Sequence, residues 1–312
     1  MEKAYLGIEI GGTKLQLSLG NAHGKIIYRY KDNVGKIKEA SYIKSVIEEA
    51  LKTKILPLDY DIKAIGIGFG GPVDKDKGQI INSYHINGWK KFEITEWIKQ
   101  IINVPVFLEN DANLAALAEA HIGAGKEVNL VFYITIGSGI GGGFIINKSI
   151  YHGKAIAESE IGHFRLTKKG NTFQSECSGW SIDKKIRNAI QRFPDSELAH
   201  LVKGDTNSEA KYLKQALFNK CQIANQIYSE LTDNIAYGLS HVIHLLNPEI
   251  IIIGGGLSLM GEMLCQSIEQ KISNYLMDAM LPGPKICLSE LKEDVVVIGA
   301  LLLAIEKYNS NN

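Results

Sequence analysis

Residues 4–19 read AYLGIEIGGTKLQLSL: an apolar run, a Gly-Gly-Thr-Lys turn, and a second run in which Leu15, Leu17 and Leu19 alternate with polar residues. Alternation with a period of two marks a strand with one buried face, so this stretch reads as a β-hairpin. Residues 25–30, after an Asn-Ala-His-Gly turn, extend it to a meander. The pattern restarts further on, with a strand at Leu130–Ile136, a glycine-rich turn at 137–143 and a second strand at 144–150. Two hairpin-plus-helix units predict an α/β protein of two similar lobes with a ligand cleft between them.

Between the hairpins, residues 42–55 carry apolar residues at helical spacing, and residues 62–69 form an apolar strand that runs into Gly70-Gly71-Pro72. A strand at 104–108 leads into Glu109-Asn110-Asp111 and an alanine-rich helix over 112–121. Helical sequence fills 178–246 and stops at Asn247-Pro248, where proline cannot continue it. A strand at 249–253 then meets Gly254-Gly255-Gly256, and a closing helix covers 295–308. The expected division is a first lobe over 1–113 and a second over 114–294, with the helix at about 295–310 returning to the first.

The bulk numbers exclude several classes. Lys+Arg and Asp+Glu both number 34 in 312 residues, which argues against a nucleic-acid binder, since such proteins carry basic surfaces. The N-terminus lacks the basic start and long apolar run of a signal peptide, and no apolar run is long enough to span a bilayer, so no membrane association is expected. Cys177, Cys221, Cys265 and Cys287 are scattered without a CxxC pair, as free thiols in a reducing compartment would be. A cytoplasmic location is the expectation.

Three glycine clusters end apolar strands: Gly11-Gly12-Thr13-Lys14, Gly137-Ser138-Gly139 and Gly254-Gly255-Gly256. Glycine lets backbone N–H groups approach an anion closely, so such turns can cradle phosphates, though a tight turn without ligand fits each one taken singly. The pattern GxGxxG occurs at 66–71 and 137–142, but neither match has the strand–turn–helix context of a dinucleotide fold, and the Walker pattern is absent. Glu9, just before the first turn, could hold Mg²⁺ through water or be a solvated strand end. Asp111 could be a helix N-cap or a ligand-facing group at a strand end. Glu160 and His163, three apart, share one face of a helical turn and can hydrogen-bond sugar hydroxyls or pair with one another.

Six segments in order resemble the ROK family (repressors, open reading frames, sugar kinases): Ile8 to Lys14; Gly70-Gly71-Pro72-Val73-Asp74 with Asn87-Gly88-Trp89; Val106 to Asn113; Ile136 to Gly143; Glu160-Ile161-Gly162-His163; and Ile251 to Gly256. The resemblance implies an actin-like (ribonuclease H-like) sugar kinase fold, usually a homodimer or higher oligomer, that binds ATP, Mg²⁺ and a hexose. Carried over, Asp111 is the general base, with phosphorylation at the 6-hydroxyl. Gly71, Asn110, Asp111, Glu160, His163 and Glu176 are sugar ligands. Glu9, Gly11, Gly12, Thr13, Lys14, Gly137, Ser138, Gly139, Gly254, Gly255 and Gly256 form the nucleotide side. Two departures stand out. Family members usually have Asp where this chain has Glu9, and many carry a CxCGxxGCxE zinc motif where this chain has a single cysteine, Cys177, so no structural zinc is expected. Family repressors add a helix-turn-helix before the kinase body, for which no room is expected ahead of Gly11. The alternative to a kinase is a non-catalytic sugar-binding sensor.

Overall fold

The structure is a computed structural model, and it describes residues 1–310 except Thr13, Gly35, Lys36, Tyr84, His85 and Ala155. The chain separates into two compact units, Met1–Gly123 with Lys148–Glu158 and Glu293–Asn312, and Ala124–Asn147 with Ser159–Lys292. The sequence-based division at 113/114 falls inside the helix Asp111–Ile122, the whole of which lies in the first unit.

In the first unit, β1 (Lys3–Ile10), β2 (Lys14–Gly20) and β3 (Ile26–Asn33) form the antiparallel meander. Then come α1 (Ala40–Ala50), continued by a wider turn over Leu51–Ile55, β4 (Asp61–Phe69), and the short pair β5 (Val73–Asp74) and β6 (Gln79–Ile80). They are followed by α2 (Ile94–Ile101), β7 (Val106–Asn110) and α3 (Asp111–Ile122). The sheet order is β3-β2-β1-β4-β7, with β4 parallel to both β1 and β7.

The alternation that identified β2 runs through its neighbours and decides how the two faces of the sheet pack. Leu6, Ile8 and Ile10, with Leu15, Leu17, Leu19, Ile65, Ile67 and Phe69, join one apolar core with Ile43, Ile47, Ile94 and Ile98 of α1 and α2. The opposite face carries Gly7, Gly20, Gly66 and Gly68, and the closing helix of the chain lies on it. A Cβ on Gly66 would stand 2.0 Å from the carbonyl oxygen of Ala300, and one on Gly7 2.7 Å from that of Val297. Gly66 and Gly68, two of the three glycines of the first GxGxxG match, therefore serve close helix–sheet packing.

The short strand β10 (Ser149–Ile150) also belongs to this unit. In the second unit β8 (Leu130–Ile136) and β9 (Ile140–Ile146) form the second hairpin. Sequence placed Gly141 to Gly143 in the turn, yet they lie within β9. Any Cβ at Gly142 would come within about 3 Å of Ile161 and Phe132, so the glycine is there for packing rather than for turning. Helices α4 (Phe173–Cys177), α5 (Gly179–Arg192), α6 (Glu197–Val202), α7 (Leu213–Phe218) and α8 (Gln222–Leu246) follow. At the end of α8, Asn247 takes a left-handed conformation before Pro248. Next come β11 (Ile250–Gly254), α9 (Glu262–Ile272) and β12 (Lys285–Leu288), and the closing helix α10 (Val295–Ser310) completes the first unit. Strands β9, β8, β11 and β12 lie side by side in that order, β11 parallel to β8 and β12. Phe132, Ile134, Phe173, Leu231, Ile235, Leu239, Ile251 and Ile253 fill this unit's core. Among the described residues, no helix is long and apolar enough to cross a membrane.

Candidate functional site in two strand-end clusters

In the first unit three parallel strands finish level with one another, Ile10 beside Phe69 and Phe69 beside Asn110. Carboxyl ends of parallel strands are where α/β sheets present ligand-binding groups. Gly70 N donates to the Ile10 carbonyl at 3.1 Å, which turns the chain after β4. Asn110 Nδ2 donates to the Gly71 carbonyl at 3.2 Å, joining two of the expected sugar ligands.

Asn110 is also the N-cap of α3, its Oδ1 accepting from Ala112 N at 2.8 Å and Asn113 N at 3.3 Å. The capping role left open for Asp111 thus belongs to its neighbour. Asp111 is half-buried in the first helical turn. Its Oδ1 accepts from Ala112 N at 2.8 Å, while Oδ2 lies where Gly70 has no side chain, 3.2 Å from the position a Cβ would take.

At the first hairpin, register places Gln16 opposite Glu9. Glu9 is 8% exposed; its Oε1 lies 3.1 Å from Lys14 Nζ and its Oε2 accepts from Gln16 Nε2. Burial raises the Glu9 carboxyl above its ordinary range, and Lys14 and Gln16 oppose that shift. Lys14 Nζ also donates to the Glu293 carbonyl at 2.7 Å. Both Glu9 oxygens hold donors, and the buried Gln16 Oε1 has no hydrogen-bond partner. Glu9 would hold Mg²⁺ through water, with Gln16 Oε1 free to accept a hydrogen bond from that water. Gly11 and Gly12 border this turn, and Thr13 lies outside the described residues.

In the second unit, the turn after β8 holds Gly137, Ser138 and Gly139, with Ser138 exposed. Gly179 N, at the start of α5, donates to the Gly137 carbonyl at 2.7 Å. Gly255, with φ of 79°, sits so close to Ile136 that a Cβ would meet its backbone at 2.7 Å. The third glycine cluster therefore lies against the end of β8, just before the second, with Gly254 buried and Gly255 and Gly256 exposed.

Glu160 precedes a single 3-10 turn, Ile161–His163, rather than a longer helix. Glu160 is half-buried and His163 is exposed. Gln174 joins this turn to the β8–β9 turn. Its Oε1 accepts from Ile140 N at 2.9 Å and lies against Gly139 and Gly162, where Cβ atoms would approach it to 2.8 and 3.4 Å. Glu176 is held by Asn171 Nδ2 at 2.6 Å and Lys185 Nζ at 3.2 Å. Cys177 is fully buried, and burial pushes its thiol well up, so it is no thiolate. A capping box between Thr172 and Ser175 and a bridge from Arg165 to Thr172 order the segment that carries Glu176.

Sequence reasoning missed Gln16, Gln174, Asn171 and Lys185. Gln16 was readable, since a hairpin that pairs Ile10 with Leu15 sets it opposite Glu9. Nothing in the spacing marks Gln174 or Lys185.

Comparison with known proteins agrees over nearly the full length. The pattern of the ROK family matches residues 5–307. A glucokinase of Halalkalibacterium halodurans is 28% identical, across 99% of this chain and 97% of that protein. The xylose repressor of Caldicellulosiruptor bescii is 27% identical across 97% of this chain but 78% of its own length. Among solved structures, a ROK family glucokinase from Streptomyces griseus, in complex with glucose and AMPPNP, is 26% identical. It superposes with a TM-score of 0.84 over 97% of this chain and 99% of its own.

Proposed function

The chain belongs to the ROK family, and from that premise we infer that it is an ATP-dependent sugar kinase with a hexose or hexose derivative as substrate and the 6-hydroxyl as acceptor. The observation that carries this reading is the placement of Asp111: a half-buried carboxylate at a strand end, relieved of capping by Asn110 and facing the gap left by Gly70. Full-length similarity to glucokinases supports it.

Phosphoryl transfer is mainly positioning and charge neutralisation, so few side chains need do chemistry. In this reading Asp111 accepts the proton of the attacking hydroxyl, and Asn110 and the Gly71 backbone orient the sugar. Glu160, His163 and Glu176 bind further hydroxyls, Glu176 being held in place by Lys185 and Asn171. The backbone of Gly11 and Gly12, with Thr13 and Lys14, and the turns at Gly137 to Gly139 and Gly254 to Gly256 take the nucleotide. Mg²⁺, when bound, neutralises phosphate charge, and Glu9 with Gln16 orients its water shell. A cytoplasmic location, where ATP is present and thiols stay reduced, accords with four cysteines that are all free.

Phosphorus NMR of a reaction with Mg-ATP and glucose tests the assignment. A new phosphomonoester split by two methylene protons is the expected product. Phosphate on a ring carbon would overturn the 6-hydroxyl assignment, and absence of any sugar phosphate across hexoses, N-acetylhexosamines and β-glucosides would overturn the kinase reading.

A further inference from the structure

Outside the residues assigned above, Glu109, His152 and Glu158 of the first unit each bring a ligand atom to within 4.8 Å of the others. Glu109, one residue before Asn110 on β7, is only 3% exposed. Its Oε1 accepts from Asn110 N at 2.8 Å and from Asn113 Nδ2 at 3.0 Å, and its Oε2 lies 2.7 Å from His152 Nε2. The same Asn113 Nδ2 donates to Glu158 Oε1 at 2.7 Å. Two carboxylates, one of them buried, therefore converge on one amide group and one imidazole. Lys75 is electrostatically coupled to both carboxylates but is paired with Asp76 at 2.9 Å.

A hydrogen-bonded network would account for most of these contacts, but not for Asn113. That side chain is 2% exposed, and its Oδ1 is buried without a hydrogen-bond partner. A buried carbonyl left unpaired is destabilising. A half-turn of the carboxamide exchanges Nδ2 and Oδ1 at little change in shape. It would turn an oxygen toward the carboxylates, which only a positive charge among them makes favourable.

We propose that Glu109, His152, Glu158 and the rotated Asn113 bind a first-row divalent transition-metal ion. One imidazole nitrogen among carboxylate and carbonyl oxygens suits Mn²⁺ or Zn²⁺, whereas Mg²⁺ and Ca²⁺ take oxygen ligands. The metal ties the 148–158 segment to the end of β7, and because Glu109 accepts from Asn110 N, its loading steadies the turn that carries Asn110 and Asp111. The site is distinct from Glu9 and needs neither nucleotide nor sugar, so it stands or falls separately from the kinase reading.

The test is a titration of chelator-stripped full-length protein with Mn²⁺, without nucleotide, following the free-ion signal by electron paramagnetic resonance. One saturable site per chain is expected. His152→Ala and Glu158→Gln should each weaken it about tenfold or more, while Glu9→Gln leaves it unchanged. Both altered side chains are only half-buried, and melting in chelator checks that each variant folds. Should His152→Ala fail to fold, Glu158→Gln alone decides. Absence of saturable binding, or binding untouched by these substitutions, would overturn the proposal.

Discussion

At the ends of β1, β4 and β7 the first unit carries Glu9, Asn110 and Asp111, whereas at the ends of β8 and β11 the second carries Gly137, Ser138, Gly139 and Gly254 to Gly256. Both start from the same plan, an antiparallel hairpin whose first strand continues into parallel neighbours. The first joins carboxylates to its glycine pairs, Gly11-Gly12 and Gly70-Gly71, while the turns of the second offer glycine backbone without them. Carboxylates suit a proton and a hydrated cation, while glycine turns present N–H groups to phosphate at close range. In the proposed reading, the division of labour follows from what stands at equivalent strand ends.

The sharpest way to break this contrast is Asp111→Asn. If the first unit supplies chemistry, kcat falls about 10²–10⁴-fold, the usual worth of a general base. Sugar affinity by calorimetry should move by less than about threefold, since the amide keeps the shape. Near-normal turnover in this variant would remove Asp111 from its role.

Gly255→Ala probes the other side. A methyl there would meet the Ile136 backbone at 2.7 Å, at a φ of 79° that side chains rarely adopt. The expected result is a loss of about 1–3 kcal/mol in stability by urea unfolding, with a raised KM for ATP. Unchanged KM in a folded variant would show that this turn does not hold nucleotide.

Lys185→Met tests whether Glu176 acts only when held. Losing one charge-assisted hydrogen bond is worth about 1.5–3 kcal/mol at most, and Glu176 retains Asn171 as a second partner at 2.6 Å. The sugar KM should rise several-fold, with kcat little changed.

The smallest effect concerns Glu9. Burial raises its carboxyl above the ordinary value of 4.5, so folding favours the protonated form. That contribution is present in full below the ordinary value and is lost as pH rises through the raised one. Glu9→Gln should therefore melt at or above wild type at pH 7, with the gap closing toward pH 4. A variant that melts well below wild type at pH 7 would mean that the Lys14 and Gln16 contacts outweigh the cost of burial.

Much of this was legible in the sequence because period-two alternation and hairpin register carry it. The strand-end position of Asp111, the meander at the N-terminus and the stop at Asn247-Pro248 all follow from local rules. The glycines were harder. Gly66, Gly68 and Gly142 look like turn or phosphate residues by letter pattern, yet each makes room for a distant element: α10, α3 or Ile161. The choice of Asn110 over Asp111 as cap depends on side-chain geometry that spacing does not encode. Gln174 and Lys185 meet their partners only through tertiary packing, so no window of sequence could mark them.

The most direct test of the account is sugar-dependent ADP release from Mg-ATP, measured by a coupled assay across hexoses, N-acetylhexosamines and β-glucosides. Strong turnover with at least one sugar, and little without, is the result predicted. Silence across the panel, with sugar binding still evident as a thermal shift, would contradict it and leave a sugar-binding protein without catalysis.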